Sequence, residues 1–554
     1  MSVEIGNVEP VPPDNITPIP DDSHNYQTQE LSTFTRKQRL TIASLVCLLQ
    51  ALPMLDTNII GVIGPTIATD LGQYALLGWV QAAYSLTGAA FTPLYTAMAA
   101  IYGRHICIQI GLAWFILGSI VAATAHTMTI LVLGRALQGI GFAGLIALPA
   151  ALIGFVTTPR QRGLYIIFPA MMGTMMSVIG PVVAGVLLHS LSWRWLFILP
   201  CIIQPITAVI LYIVLRNSLV TQVESDKLCK QQLSWVDVDW LGSLIVMAAT
   251  AMLMLGITLG GSSYSWLSPT VLTTLILSPI LYVLFIYVEH RRGLNALMPL
   301  DMFKSQNFCI SSVLAFMLGV MAIVVPLYLP QYYQTVYGDS PMISGLRITP
   351  FALSYAISAA MSGRFVSSTG HYKYLPIAGS LLQLSAAVML VLTFRVQSSY
   401  WLSAGSMVVL GVGGGMLNPP VNVMAINSVK PSQINAAVTV IRFFDIAGDA
   451  IMSSVLTSAF DSSFQHSVQQ AWPTAVDQPI PSQAINMIDV VEQTLGSTGI
   501  NMIFTMSMKV LWYILLGFGC LQLVSSGWVK QVTLRGATSM EQSVQMTDVH
   551  TDTD

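Results

Sequence analysis

Three carboxylates, Asp56, Asp445 and Asp449, and two guanidinium groups, Arg135 and Arg442, lie inside long apolar stretches of a 554-residue chain. A charge near the middle of a bilayer costs at least about 2.5–3.5 kcal/mol on insertion scales, so each of these groups needs a physical reason to be there. Desolvation favours a neutral carboxyl, and a neighbouring cation favours the carboxylate. A carboxyl caught between those pressures can load and release a proton as its surroundings change. Arg442, Asp445 and Asp449 are spaced i, i+3, i+7, which puts them along one face of a helix. The competing reading is a structural ion pair that holds helices together, for Asp56 as for Asp445 with Arg442. Lys509 is expected to snorkel from a helix end.

The elements that carry these groups follow from hydropathy. Fourteen apolar runs of roughly 20 residues are each long enough to cross ~30 Å of hydrocarbon as a helix. They fall near 41–65, 76–98, 106–125, 128–156, 163–188, 194–215, 239–260, 270–289, 308–330, 344–366, 374–394, 400–425, 436–459 and 504–527. Backbone groups in lipid must bond internally, so the runs read as helices and the fold class as an all-α polytopic membrane protein with 14 transmembrane helices. Composition agrees: 54% of residues are hydrophobic, 9% are charged, and mean hydropathy is +0.69. That excludes an ordinary soluble enzyme, a disordered protein and a nucleic-acid binder. Six cysteines stand singly, with no Cys/His cluster, so neither a disulfide framework nor a metal site is expected, and no cofactor. No H-E-x-x-H, and no G-x-S-x-G with a matching His, suggests a membrane enzyme.

Charge sets the expected topology. With the amino terminus in the cytosol, seventeen of the 23 Lys and Arg fall on the inner side, and only Arg194, Arg347 and Arg395 fall outside. Both termini are therefore expected in the cytosol. The organisation reads as a disordered tail (1–40), a six-helix bundle (41–216), a linker carrying helices 7 and 8 (217–307), a second six-helix bundle (308–530) with an external loop at 460–503, and a cytosolic tail (531–554). The first 35 residues hold six acids, five prolines and no Lys or Arg, unlike a signal peptide.

Ordered motifs then carry a resemblance. The first run reads LDTNIIGVIGPTIATDLG, the fourth LGRALQGIGFAG, and the fifth GPVVAG followed by WRWLF; YLPQYYQ, SGLRITP and GRFVSSTGHYKYLP follow in the second half. Over roughly residues 40–530 the chain resembles the major facilitator superfamily, specifically its fourteen-span drug:proton antiporter family, with a fungal flavour in the loops. The resemblance implies that Arg135, Gln138 and Gly139 match an R-x-x-Q-G motif in which the arginine senses a neighbouring carboxylate, here Asp56. It also implies an antiporter motif at Gly180, Pro181 and Gly185, where small residues allow close packing and proline permits a bend. The loop after the second run keeps Gly103 and Arg104, but Ala100 replaces the family Asp that helps latch one conformation. In RFFDIAGDA, Asp445 stands where the family commonly has Arg and Asp449 where it has a second Gly, and Arg442 supplies a cation one turn earlier.

The resulting expectation is a proton-coupled antiporter, acting as a monomer in the lipid bilayer, that exports a small organic molecule such as a drug, toxin or secondary metabolite. Its expected place is the plasma membrane, with the vacuolar membrane as the alternative. Proton-coupled uptake of a small solute such as a siderophore or amino acid is the alternative function. Twenty-eight methionines, among them Met171, Met172, Met175 and Met176, suit an adaptable cavity or plain packing. Tyr328, Tyr332 and Tyr333 read as interfacial aromatics or ligand contacts. Ala100→Asp, which restores the family latch, is expected to leave the fold intact and shift the balance of states. Unequal labelling of inner- and outer-facing cysteine probes in variant and parent checks this.

Overall fold

Apolar runs become helices wherever the computed structural model describes the chain: residues 36–72, 76–156, 172, 175–176, 179–180, 182–188, 191–216, 239–260, 264–293, 296–394, 399–430, 433–472 and 488–531. The helices are α1 (Arg36–Leu71), α2 (Leu77–Tyr102), α3 (Arg104–Ala123), α4 (Met128–Val156), α5 (Arg194–Arg216), α6 (Trp240–Leu259), α7 (Pro269–Arg292), α8 (Gln306–Tyr337), α9 (Pro341–Arg347), α10 (Thr349–Thr369), α11 (Tyr374–Thr393), α12 (Tyr400–Asn427), α13 (Ile434–Ala471) and α14 (Ile488–Gly527). The run expected at 163–188 lies largely outside the described residues, as do 1–35, 217–238, 473–487 and 532–554.

Among the described residues, ten helices are long and apolar enough to cross a membrane. Helices α2, α10 and α13 coincide with expected runs but are richer in small and polar residues. Helix α2 packs on α4 and α13, and α13 on α8, whereas α10 packs on α12 and leaves Leu353, Ile357, Met361 and Phe365 exposed. Two boundaries differ from expectation. Helix α1 begins at Arg36, inside the stretch read as tail. Within 460–503, read as an external loop, the chain is helical to Ala471 and again from Ile488, with a break at Gly496 (φ 75°) in a conformation that favours glycine.

The two ends of the molecule are packed differently. Call the near end the one where α1 begins. At the far end a single apolar core joins both halves of the chain, running from Ile59, Ile63 and Phe197 through Val324 and Leu329 to Leu456 and Trp512. At the near end the core splits. One cluster holds Ile42, Leu49, Cys107 and Leu145 of the first half together with Ile446 and Ala447 of α13, and another holds Phe308, Val421, Met424 and Val440 of the second half. Tyr328, Tyr332 and Tyr333 belong to the far-end core and are buried, so they are not interfacial aromatics. The Tyr332 ring lies 4.3 Å from Phe394, which lies 5.0 Å from Trp512. The Tyr333 hydroxyl shares a 2.8 Å hydrogen bond with Ser403.

Specific contacts close the far end. Gln334 Nε2 of α8 donates to the Val62 carbonyl of α1 at 2.9 Å. A Cβ on Gly61 would collide with the Pro326 carbonyl, one on Gly78 with Thr457, and one on Gly185 with Met342. Trp193 Nε1 and Arg194 reach Asp70 at 2.9 and 3.3 Å, tying the start of α5 to the end of α1. Beside them, Arg347 pairs with Asp339 at 2.7 Å under the rings of Tyr333, Tyr337 and Tyr400.

The hairpin α6–α7 packs on α2 and α13, at the seam between the halves. Asp239 caps α6 by accepting from the Gly242 amide at 2.7 Å, and Glu289 near the end of α7 accepts from the Met298 amide at 2.8 Å. Asp239→Ala is expected to cost about 1 kcal/mol through the lost cap and to lower the melting temperature of the purified protein. Gly61→Leu is expected to part the far ends. A Val62→Cys/Gln334→Cys pair that cross-links in the parent then loses its cross-link in the variant.

Candidate functional site

The first half buries a charge pair. Arg135 of α4 bonds Asp56 of α1 through Nη1, with side-chain exposures of 0% and 1%. The same Nη1 donates to Gln138 Oε1 at 2.9 Å, and Gln138 Nε2 passes the chain to Ser119 of α3 at 2.8 Å. Arg135 Nε donates to the Val80 carbonyl of α2 at 3.2 Å. The guanidinium carbon sits 4.1 Å from the centroid of the Tyr84 ring, a cation–π contact. Four helices thus converge on one cation. One turn before Asp56 on α1, the Pro53 carbonyl accepts from Thr57 at 2.9 Å and from the Tyr84 hydroxyl at 3.3 Å.

Glycine makes the convergence possible. A Cβ on Gly139 would collide with the Tyr84 carbonyl and Thr87, and one on Gly118 with the Gln138 amide. Gly180 approaches the Leu55 carbonyl, with a Cβ there at 3.3 Å; Pro181 lies outside the described residues. Gly103, with φ 85°, makes the turn between α2 and α3, and Arg104 opens α3.

The second half carries an open counterpart. On α13, Arg442 Nη1 reaches Asp445 Oδ2 at 3.4 Å, and their side chains are 39% and 29% exposed. They line a cleft with Leu318 of α8 and with Asn418, Val421 and Asn422 of α12. Asn418 Nδ2 donates to the Tyr355 hydroxyl of α10 at 2.9 Å, and Asn422 Nδ2 to the Asn418 carbonyl at 2.9 Å.

Asp449 turns elsewhere. It accepts from Ser85 Oγ of α2 at 2.7 Å, and Gln81 Nε2 donates to that same hydroxyl at 3.1 Å. This bond crosses between the halves midway along α2 and α13. Toward the near end, Thr439 meets Thr96 at 3.2 Å; toward the far end, Gly78 abuts Thr457. The structure therefore brings together Asp56 with Arg135, and Arg442 with Asp445, while Asp449, one turn beyond Asp445, takes its hydrogen bond from Ser85 of α2. Sequence reasoning did not single out Ser85, Gln81, Tyr84, Tyr355, Asn418 or Asn422. Their available signal is polarity at helical spacing within apolar runs, as in Gln81 with Ser85 and Asn418 with Asn422.

Comparison with known proteins identifies this architecture. Residues 46–452 match the family model of the Major Facilitator Superfamily. The chain is 28% identical over 457 residues to the efflux pump dotC of Dothistroma septosporum, covering 81% of this chain and 77% of that protein. It is 27% identical to the efflux pump FUS6 of Gibberella moniliformis, covering 95% and 93% of the two chains. Multidrug resistance protein 3 of Bacillus subtilis is 28% identical over 78% of this chain and 82% of its own. Among solved structures, a bacterial homolog of the human lysosomal transporter Spinster, inward-facing and unoccupied, superposes with a TM-score of 0.61 at 15% identity, covering 89% and 98% of the chains. The xylose transporter XylE of E. coli gives a TM-score of 0.54 at 14% identity, covering 88% and 96%. With its charge pairs held inside apolar helices and a match spanning most of its length, this multi-pass membrane protein belongs to the major facilitator superfamily and is a transporter, not an enzyme.

Proposed function

We propose that the protein exports a small organic molecule from the cytosol across the plasma membrane in exchange for protons, with 14 spans, two six-helix bundles flanking the inserted hairpin, and both termini in the cytosol. The near end is then the cytosolic face, and the described state opens inward. The observation that carries the reading is the Asp56–Arg135 pair, wholly buried and reached from four helices of the first half. A carboxylate sealed against a cation in this way changes its partner's environment when it takes a proton. Arg135 then relies on Gln138, the Val80 carbonyl and the Tyr84 ring, and the packing of α1 against α4 loses its strongest attraction. Repeats of this architecture rock about a site near the midplane, so a change at one helix pair biases which end is open.

The energy is adequate. A potential of ~100 mV with about two pH units supplies ~5 kcal/mol per proton. At one proton per molecule that sustains roughly a 10³-fold gradient of a neutral substrate. The fungal relatives named as efflux pumps support outward transport, and the glycines Gly180 and Gly185, packed against α1 and α9, support a helix able to slide between states.

Asp56→Asn is expected to abolish proton-coupled export while the protein is still made and inserted. Substrate accumulation in cells expressing parent or variant, with and without a protonophore, checks this. Unchanged, protonophore-sensitive export by the variant rejects Asp56 as the coupling residue.

A further inference from the structure

The Arg442–Asp445 cleft is intramembrane and open, whereas the Asp56–Arg135 pair is sealed. Arg135 is fully buried and bonds Asp56 and Gln138 through Nη1 and the Val80 carbonyl through Nε. Arg442 has five donor hydrogens and makes one long 3.4 Å bond, while 39% of its side chain is open. The pair is neutral as a whole. An anionic group brought to Arg442 meets Asp445 beside it, and a cationic group brought to Asp445 meets Arg442. The group that satisfies both is neutral and presents an acceptor and a donor side by side. We infer that the Arg442–Asp445 pair is a substrate subsite for a neutral molecule bearing a primary amide, lactam or imide edge, whose carbonyl accepts from Arg442 and whose N–H donates to Asp445.

The surroundings fit such a guest. Ala315, Leu318 and Val421 give the cleft apolar walls, and Asn418 and Asn422 line it as well. The inference rests on the export reading and supplies that reading with a direction of coupling. An amide N–H needs an ionised Asp445 as its charge-assisted acceptor. Protonation of Asp445 weakens that bond and releases the guest, so proton and substrate compete, as exchange requires. The groups facing Asp445 are few. Arg442 and Asp449 stand on α13, Tyr355 on α10, neutral Asn418 and Asn422 on α12, and apolar Ala315 and Leu318 on α8. Helix α2 contributes Ser85, already bonded to Asp449.

The test uses detergent-purified full-length protein and a small panel of apolar probes: biphenyl-4-carboxamide, naphthalene-2-carboxamide and decanamide, each paired with its N,N-dimethyl amide. Binding is read by isothermal titration calorimetry. The primary amides are expected to bind at least about tenfold more tightly than their dimethyl partners, the loss of one hydrogen bond to a charged group. That preference is expected to weaken as pH falls, and to shrink to within about threefold and lose its pH dependence in Asp445→Asn. Arg442→Gln, which keeps a donor but removes the charge, is expected to weaken both members of each pair. Equal affinity within every pair, no binding of any primary amide, or a preference that survives Asp445→Asn with its pH dependence overturns the assignment. Because binding is measured without a membrane or gradient, a protein that shows the preference yet moves no solute in acidified vesicles counts against the export reading alone.

Discussion

A full charge in a water-free interior must find its opposite, and the Asp56–Arg135 pair is where this chain meets that requirement. The pair dictates much of the first half. Arg135 draws on α1, α2 and α4 directly and reaches α3 through Gln138, so the positions of these helices are fixed relative to one side chain. The approach distances follow. Gly118 and Gly139 are glycines because the backbone of a neighbouring helix occupies the place of a Cβ. Removing one member of a buried pair typically costs 3–5 kcal/mol because the other is left unpaired. A group with that much at stake is also a sensitive one: a single proton is enough to change what holds α1 to α4.

The second half handles charge in the opposite way. Arg442 and Asp445 keep a loose contact and face an open cleft, while Asp449 leaves its helical neighbours to bond Ser85 across the seam. The apolar cores show the same asymmetry at larger scale: one continuous core at the far end, two separate ones at the near end. Between those ends α2 and α13 stay in contact along their length, through Gly78 with Thr457, Ser85 with Asp449, and Thr96 with Thr439. A polar bond at the middle of that seam is well placed as a fulcrum. Rotation about it moves the ends of the helices by much more than it moves Ser85 or Asp449.

The positions of most helices were legible in the sequence because lipid allows few ways to satisfy a backbone, and a run of about 20 apolar residues has little choice but to be helical. Arg135 and Asp56 were legible as a pair because a motif of known pattern surrounds the arginine. What could not be read was adjacency. Helical periodicity tells which face a residue is on, but not which helix it faces. Thus Arg442, Asp445 and Asp449 share spacing yet serve two different neighbours, and Ser85 gave no sign that its partner stood on a helix hundreds of residues away. Tyr328, Tyr332 and Tyr333 misled for the same reason. Aromatics near a helix end suit an interface, but here a core built from both halves covers them. The stretch at 460–503 misled because its polarity reads as a loop, whereas polar residues can equally continue a helix beyond the bilayer.

The departures on α13 also find a common physical account. Where the resemblance leads one to expect two successive glycines, this chain has Gly448 followed by Asp449. Successive residues of an α-helix point about 100° apart, so the two positions look at different neighbours. Gly448 meets α8, where a Cβ would collide with the Phe316 carbonyl, and the close contact that requires glycine is thereby kept. Asp449 looks toward α2 and finds Ser85, and no such collision forbids a side chain there. The helix thus gains a carboxylate at the seam without loosening its packing on α8. Asp445 is accommodated on the same principle. Its backbone lies against Gly319, so the glycine on α8 provides the room and the side chain is free to turn into the cleft beside Arg442. Close packing and buried chemistry coexist on one helix because they occupy different faces of it.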